Sequence, residues 1–280
     1  MIGKGMSYGA LSVINAVSTG KGAAFGIDLK TEATVQLISE PEFTVEIDGH
    51  PTESVSLARF SVEEVLQRYP NAGMNGAVIR TTSNIPISQG LKSSSSAANA
   101  IISATAAALG VTIDPLEIGR IGATAAIRAG VSITGAFDDA CACQLGGLVF
   151  TDNSNRELLL RRPMPEGYTA VIHIPPFQIR KTTFPSEKMR EMREMVAAAY
   201  DLAVEGDVFS AMYVNGRCTC EAIGITPETA DRALSCGAAA AGLSGTGPAT
   251  GILVPDEGLD EFLDRFGREN VLLANIRNGV

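Results

Sequence analysis

The first fifty positions carry short apolar runs separated by glycines, and several runs alternate apolar with polar residues. Runs of this kind that are rich in β-branched residues predict β-strands. They cover the N-terminal segment to residue 17 and residues 23–30, 33–38 and 43–48. Asp48-Gly49 then marks a turn, and Ser61, which two glutamates follow closely, predicts the start of a short helix. Residues 76–82 predict a further strand.

The middle of the chain changes to a helical composition. Residues 97–109 are rich in alanine, the best helix former, and predict a helix. A second helix is expected over residues 115–129, and a turn follows at Asp138-Asp139. Residues 147–151 predict a strand that closes this half of the chain.

After a polar break at residues 153–155, strands and helices alternate without strict βαβ repetition. A long amphipathic helix is expected over residues 187–204, with Met189, Met192 and Met195 on one side as core residues. Further helices are expected at residues 208–222, 227–235 and 259–266, and strands at residues 169–174, 238–243, 250–254 and 271–276. The pattern predicts an α+β protein of two lobes, residues 1–153 and 154–280.

Composition places this chain among globular proteins and narrows its partners. The 280 residues are 45% hydrophobic and 19% charged, and only 5% are aromatic, so alanine and aliphatic residues must build the core. The net charge of −9 argues against a nucleic acid or an anionic membrane as the main partner. An anionic substrate would therefore need local cations and helix termini. Apolar runs stay well short of the roughly 20 residues that cross a bilayer.

The cysteines indicate neither a disulfide framework nor a zinc site. Their number is odd, and the two Cys-x-Cys pairs leave one residue between the sulfurs where zinc sites leave two to four. The residues concerned are Cys141, Cys143, Cys218, Cys220 and Cys236, with His50 and His173 as the histidines. We expect reduced, largely buried thiols in a cytoplasmic protein.

The strongest chemical signal is the loop at residues 86–96, which runs into the alanine-rich helix. A helix start presents unpaired N–H groups and the positive end of the macrodipole, which together favour an anion. Gly90 allows a close approach to phosphate, Lys92 adds a mobile positive charge, and serine hydroxyls can reach a magnesium ion. The alternative is a serine-rich cap on a core helix. The P-loop pattern is absent, because neither Gly3-Lys4 nor Gly20-Lys21 fits it.

Three ordered segments resemble the GHMP kinases, the superfamily of galacto-, homoserine, mevalonate and phosphomevalonate kinases. The serine loop is similar to that family's P-x3-G-L-x-S-S motif, residues 243–251 to its glycine-rich motif, and residues 134–140 to the segment with its catalytic aspartate. The resemblance implies an S5-like N-terminal lobe, a ferredoxin-like C-terminal lobe, and ATP and Mg²⁺ bound between them. The implied nucleotide-binding residues are Pro86, Gly90, Leu91, Lys92, Ser93, Ser94, Ser95, Ser96, Ala97, Ser244, Gly245, Thr246 and Gly247.

The same resemblance implies that Asp138 is catalytic, either as a base or as a group that orients the substrate hydroxyl. The alternative is that Asp138 and Asp139 cap a short helix, and Asp139 is expected to face another way. Ser94, Ser95 or Ser96 would bind Mg²⁺. The glutamate by which several family members hold the metal is missing, since Ala126 and Ile127 occupy its place. Either Asp139 replaces it, or serine, ATP and water suffice.

Residues 17–33 resemble the archaeal shikimate kinases, a branch of the same superfamily. That resemblance implies phosphorylation of the 3-hydroxyl of shikimate, with Lys21 as the cation for its carboxylate and Thr19, Asp28 and Asp139 as polar partners. Lys21 could instead be a solvated turn lysine. The alternatives for the whole chain are another GHMP kinase acting on homoserine, pantoate or mevalonate, and a non-catalytic sensor. The oligomeric state is left open.

Overall fold

The computed structural model describes residues 1–48, 55–71, 73–132, 134–179 and 184–279. Gly49 of the predicted turn and His50 lie outside these residues. The strands are β1 (Ile2–Ile14), β2 (Lys21–Ile38), β3 (Phe43–Ile47), β4 (Gly76–Ser83), β5 (Leu148–Asp152), β6 (Glu157–Arg162), β7 (Tyr168–His173), β8 (Ala240–Leu243), β9 (Thr250–Pro255) and β10 (Val271–Asn275). The helices are α1 (Ala16–Thr19), α2 (Ser56–Arg68), α3 (Ser93–Leu109), α4 (Pro115–Arg128), α5 (Phe137–Leu145), α6 (Ser186–Glu191), α7 (Arg193–Glu205), α8 (Val208–Ile223), α9 (Glu228–Ser235) and α10 (Leu259–Phe266).

The first sheet has six strands, in the order β3-β4-β2-β5-β6, with β1 also paired to β2. The prediction of two strands within residues 23–38 was wrong, because β2 is a single strand of 18 residues. Its polar centre is held by β1, where Lys30 pairs with Tyr8 and Thr31 with Ser7. Backbone pairing thus carries the strand through residues whose side chains alone suggested a break.

The second sheet is antiparallel throughout, in the order β10-β7-β9-β8. This order, with helices between β7 and β8 and between β9 and β10, is the ferredoxin-like arrangement. The expected α+β architecture is therefore confirmed. The division between residues 153 and 154 stays a prediction; β6, which follows it, still pairs with β5 in the first sheet.

The predictions for helix α2 and for the long helix after β7 were wrong. Helix α2 begins at Ser56, and Ser61 lies inside it, where its hydroxyl donates to the Leu57 carbonyl one turn back instead of capping. The long helix after β7 is broken at Met192 into α6 and α7. Met189 is buried as expected, but Met195 is 52% exposed, because the buried face of α7 is formed by Val196 and the residues one and two turns after it.

One hydrophobic core joins the two sheets and fixes the lobes against each other. It includes Leu11 and Phe25 of the first sheet together with Ile172 and Leu253 of the second. Among the described helices, none has the length and hydropathy needed to cross a membrane. Four of the five cysteines are buried and the fifth, Cys236, is half-buried, as expected. The fold therefore holds the start of α3, the start of α5 and the β8–β9 loop in fixed relative positions.

Candidate active site

The serine loop ends in a sharp turn that starts helix α3. Gly90 and Lys92 both adopt left-handed backbone conformations, with φ of 82° and 66°, and the helix begins at Ser93, four residues earlier than predicted. The four serines therefore form the first turn, where the N–H groups of Ser93, Ser94 and Ser95 have no partner within the helix and that of Ser96 donates to the Lys92 carbonyl at 2.9 Å. This is the geometry that favours a bound phosphate.

The serines differ in how accessible their hydroxyls are. Ser93 and Ser94 are half-buried, whereas Ser95 and Ser96 are buried. The Ser96 hydroxyl is buried without a hydrogen-bond partner among the described residues. An unpaired buried hydroxyl is costly, so a ligand oxygen or cation at this turn would be favoured. These hydroxyls are of the hard oxygen type that Mg²⁺ prefers, so the turn fits that ion.

Lys92 is the buried cation of the site. Its side chain is 4% exposed, and its Nζ lies 2.9 Å from Asp139 Oδ1 and donates to Ser12 Oγ at 2.6 Å. A Cβ built on Gly245 would lie 2.6 Å from the same nitrogen. The expectation of a mobile charge was therefore wrong, since an ion pair and a hydrogen bond hold the ammonium inside the protein.

The glycine-rich β8–β9 loop packs directly on the serine loop. Ser244 Oγ donates to the Gly90 carbonyl at 2.9 Å and accepts from the Ser12 N–H at 3.1 Å. Any Cβ on Gly90 would overlap the Ser244 carbonyl oxygen, so this contact alone requires glycine. Asn15 Nδ2 donates to the Gly245 carbonyl at 2.9 Å, which ties β1 to the same loop. The two motifs thus form one continuous surface.

The loop residues differ in burial. Ser244, Gly245 and Gly247 are buried, and Thr246 between the two glycines is half-buried. Leu91 is 1% exposed in the core beneath the serine loop. The structure therefore brings the serine loop and the β8–β9 loop together, and Thr246 is the partly accessible side chain of the β8–β9 loop.

Asp138 lies in the first turn of α5 and is 5% exposed. Its Oδ1 accepts from Asn153 Nδ2 at 2.8 Å, while its own N–H donates to Asn153 Oδ1 at 3.1 Å. On the other side, a Cβ on Gly22 would overlap Asp138 Oδ2. Burial, and after it the charge of Asp139, raise the pKa of the Asp138 carboxyl to about 6 against the opposing effects of Lys92 and Asn153.

Asp139 faces another way, as expected. Its carboxylate pairs with Lys92 and contributes to the link between α5, β1 and the serine loop. Neither aspartate side chain caps α5, whose N-cap residue Ala136 has a left-handed backbone and no side-chain hydrogen bond. Two buried carboxylates at one helix start are candidates for a chemical function.

The proposed acceptor residues do not all lie together. Thr19 Oγ1 accepts from the Lys21 N–H at 3.1 Å, so these two share a turn that leads into Gly22 and hence to Asp138. Lys21 is exposed, with its Nζ 5.5 Å from the Tyr200 ring centroid. Asp28 accepts hydrogen bonds from the backbone and side chain of Asn275. It lies seven residues beyond Lys21 in β2, which is about 23 Å along an extended strand. The structure does not bring Asp28 to the site.

Sequence reasoning missed four residues that build this site: Gly22, Asn153, Ser12 and Asn15. Asn153 was visible only as part of a polar break, and Ser12 only as one polar position in an apolar run. Their roles depend on pairing between distant elements, which leaves no local signal. Across the described residues, no three His, Cys, Asp or Glu side chains form a metal-binding group.

Comparisons with known proteins agree with this geometry. Residues 56–147 match the family described as GHMP kinases N terminal domain. A protein of Methanothrix thermoacetophila named shikimate kinase is 43% identical over 264 residues, covering 94% of this chain and 89% of that protein. A shikimate kinase of Halobacterium salinarum is 40% identical, covering 95% of this chain and 93% of its own.

Solved structures agree on the fold. The mevalonate kinase of Methanococcus jannaschii superposes with a TM-score of 0.77 at 18% identity, covering 99% of this chain and 98% of that one. That likeness supports the architecture, and the two curated relatives support the finer grouping. The chain belongs to the GHMP kinase family, in the branch that contains the archaeal shikimate kinases.

Proposed function

We propose that the protein is an ATP-dependent kinase that transfers the γ-phosphoryl group to the 3-hydroxyl of shikimate. The observation that carries the proposal is the single buried network in which Lys92 joins the phosphate-binding turn to the Asp138-Asp139 pair. Phosphoryl transfer needs charge neutralisation and an aligned hydroxyl, and this network provides a place for both. The named activity of the curated relatives supports the choice of acceptor.

The phosphates of ATP would bind at the first turn of α3. Backbone N–H groups of Ser93–Ser95 would donate to them, with Gly90 and the Ser244–Gly247 loop closing over the other side. Ser94, Ser95 or Ser96 would hold Mg²⁺, which supplies neutralisation of phosphate charge when bound. Lys92 is held by Asp139 and Ser12 close to the same turn, so its ammonium would face the phosphates without rearrangement.

Asp138 would act on the acceptor. As the acceptor oxygen forms its bond to the γ-phosphorus and the bond to ADP breaks, the hydroxyl proton passes to the Asp138 carboxylate. A pKa of about 6 leaves most of this carboxylate ionised at neutral pH and still basic enough to accept a proton. The Thr19–Lys21 turn, which leads into Gly22, would bind the acceptor carboxylate through Lys21. We retain Asp139 as the partner of Lys92 and give Asp28 no part in the site.

A coupled assay of ADP release tests the proposal, with shikimate, homoserine, mevalonate and pantoate as acceptors. Shikimate should give the highest kcat/KM, and Asp138→Asn prepared in parallel controls for contaminating kinases. Preference for another acceptor would leave only the superfamily membership standing. ATP binding without turnover of any acceptor would favour the sensor alternative.

A further inference from the structure

The Asp138 carboxylate is in contact on two sides with groups outside its own helix. Asn153 lies just after β5 and donates through Nδ2 to Asp138 Oδ1 at 2.8 Å. Gly22 lies in β2, and the carboxylate occupies the space that a side chain on Gly22 would fill. Neither contact comes from α5 itself, which begins at Phe137.

The amide of Asn153 can adopt only one orientation. Its Oδ1 accepts from the Asp138 N–H at 3.1 Å, which requires an oxygen there, and also accepts from Thr151 Oγ1 at 2.8 Å. Its Nδ2 faces the Asp138 carboxylate and lies 3.5 Å from Thr134 Oγ1. A flipped amide would place oxygen against carboxylate and NH₂ against a backbone donor. Asn153 is 2% exposed, so water cannot replace these partners.

Asn153 also ties the carboxylate to the segment that leads into Gly22. The Asn153 N–H donates to the Gly20 carbonyl at 2.9 Å, next to the Thr19–Lys21 turn. A shift of Asn153 would therefore move Asp138 relative to that turn. The charge of Lys92 and the hydrogen bond from the Asn153 side-chain amide both lower the Asp138 pKa, against burial and the charge of Asp139.

We propose that Asn153 is the positioning residue of Asp138: its side-chain amide fixes the direction of the carboxylate, while Gly22 leaves room for it. This inference rests on the proposed catalytic role of Asp138. An aspartate at position 153 would keep the shape but lose the donor and add a negative charge. An alanine at position 22 would displace the carboxylate directly.

The experiment measures the pH profile of kcat/KM for shikimate, together with nucleotide affinity and thermal stability, in the full-length protein. Asn153→Asp should move the acidic limb up by at least about one pH unit and lower turnover at pH 7 by about 10- to 100-fold. Nucleotide affinity should change less than about threefold. Asn155→Asp, the same substitution on the exposed turn two residues later, is the matched control and should leave profile and rate unchanged.

Gly22→Ala should lower turnover at every pH, because it moves the carboxylate. If Asn153→Asp does not fold, Asn153→Ser, which keeps a shorter donor, must show the same upward shift at smaller size. An unshifted acidic limb in the folded variant overturns the inference. Asp138→Asn, assayed alongside, separates the catalytic role of Asp138 from the positioning role of Asn153. If Asp138→Asn remains active, the proposed role of Asp138 fails. If Asp138→Asn is inactive while the Asn153 variants keep the activity and pH profile of the wild type, only the role of Asn153 fails.

Discussion

Asp138 and Asp139 are adjacent in sequence and nearly equally buried, yet their surroundings differ in kind. An amide and a glycine backbone surround the Asp138 carboxylate, whereas Asp139 faces the Lys92 ammonium. A carboxylate paired with a buried cation is already neutralised, so it is suited to hold that cation in place. A carboxylate kept from water without a cation of its own is suited to accept a proton. We propose that Asp139 serves binding, by holding the Lys92 ammonium, and that Asp138 serves the chemistry.

This division predicts opposite effects on activity and stability. Asp138→Asn should lower turnover at least about 100-fold while nucleotide binding persists. It should also leave the melting temperature unchanged or raise it, because it removes a buried charge whose ionisation burial opposes. Turnover and differential scanning calorimetry on the same preparations measure both effects.

Asp139→Asn is the paired variant in that experiment. It leaves the Lys92 ammonium buried without its anion, so the melting temperature should fall. If Asp139→Asn loses more turnover than Asp138→Asn while remaining folded, the two roles are reversed.

The second prediction breaks the ion pair from the cation side. Lys92→Met should destabilise the protein by about 3 kcal/mol, because it strands the Asp139 carboxylate in the interior. It should also raise the KM for ATP through loss of the charge beside the phosphate turn. Urea unfolding and steady-state kinetics measure the two effects.

The double variant Lys92→Met/Asp139→Leu serves as its control. Two apolar side chains remove both charges, so most of the lost stability should return while the KM for ATP stays high. Recovery of ATP binding together with stability would show that Lys92 contributes only to folding.

The third prediction concerns pH. Activity as kcat/KM should fall as the pH drops through about 6, where Asp138 takes up its proton. Stability should move the other way. Because this pKa lies above its ordinary value of 3.8, the folded chain binds the proton more tightly than the unfolded chain. The Asp138 contribution to stability is therefore present at low pH and declines as the pH rises from about 4 to about 6. The difference in unfolding free energy between the wild type and Asp138→Asn, measured across this range, isolates that contribution. A difference independent of pH would contradict it.

Much of the site could be predicted from local sequence, and the remainder could not, for a physical reason. The serine loop, the Asp138 segment and the β8–β9 loop are each short, contiguous motifs, so a few neighbouring residues were enough to identify them as candidates. Lys92 was identified, but its burial depends on Asp139 and Ser12, which lie 47 and 80 residues away along the chain. Asp28 was included because it lies near Lys21 in sequence, and an extended strand turns that proximity into distance.

The smallest expected effect tests whether the acceptor reaches the Asp138 side of the pair. Gly22 contacts Asp138, and Lys21 of the Thr19–Lys21 turn is the residue before it, so Lys21 lies one strand residue from the place where we propose that the acceptor binds. Successive strand residues point to opposite faces, so the Lys21 side chain starts away from Asp138, over Tyr200, and must bend around the strand end. We therefore expect Lys21→Ala to raise the KM for shikimate only about 3- to 10-fold, with a smaller change in the KM for ATP and little in kcat. Lys30→Ala, which removes an exposed lysine of the same strand paired with Glu32, is the control and should change none of these constants. Equal rises in both KM values would place Lys21 at the nucleotide rather than at the acceptor, and the acceptor would then have to draw its cation from outside β2.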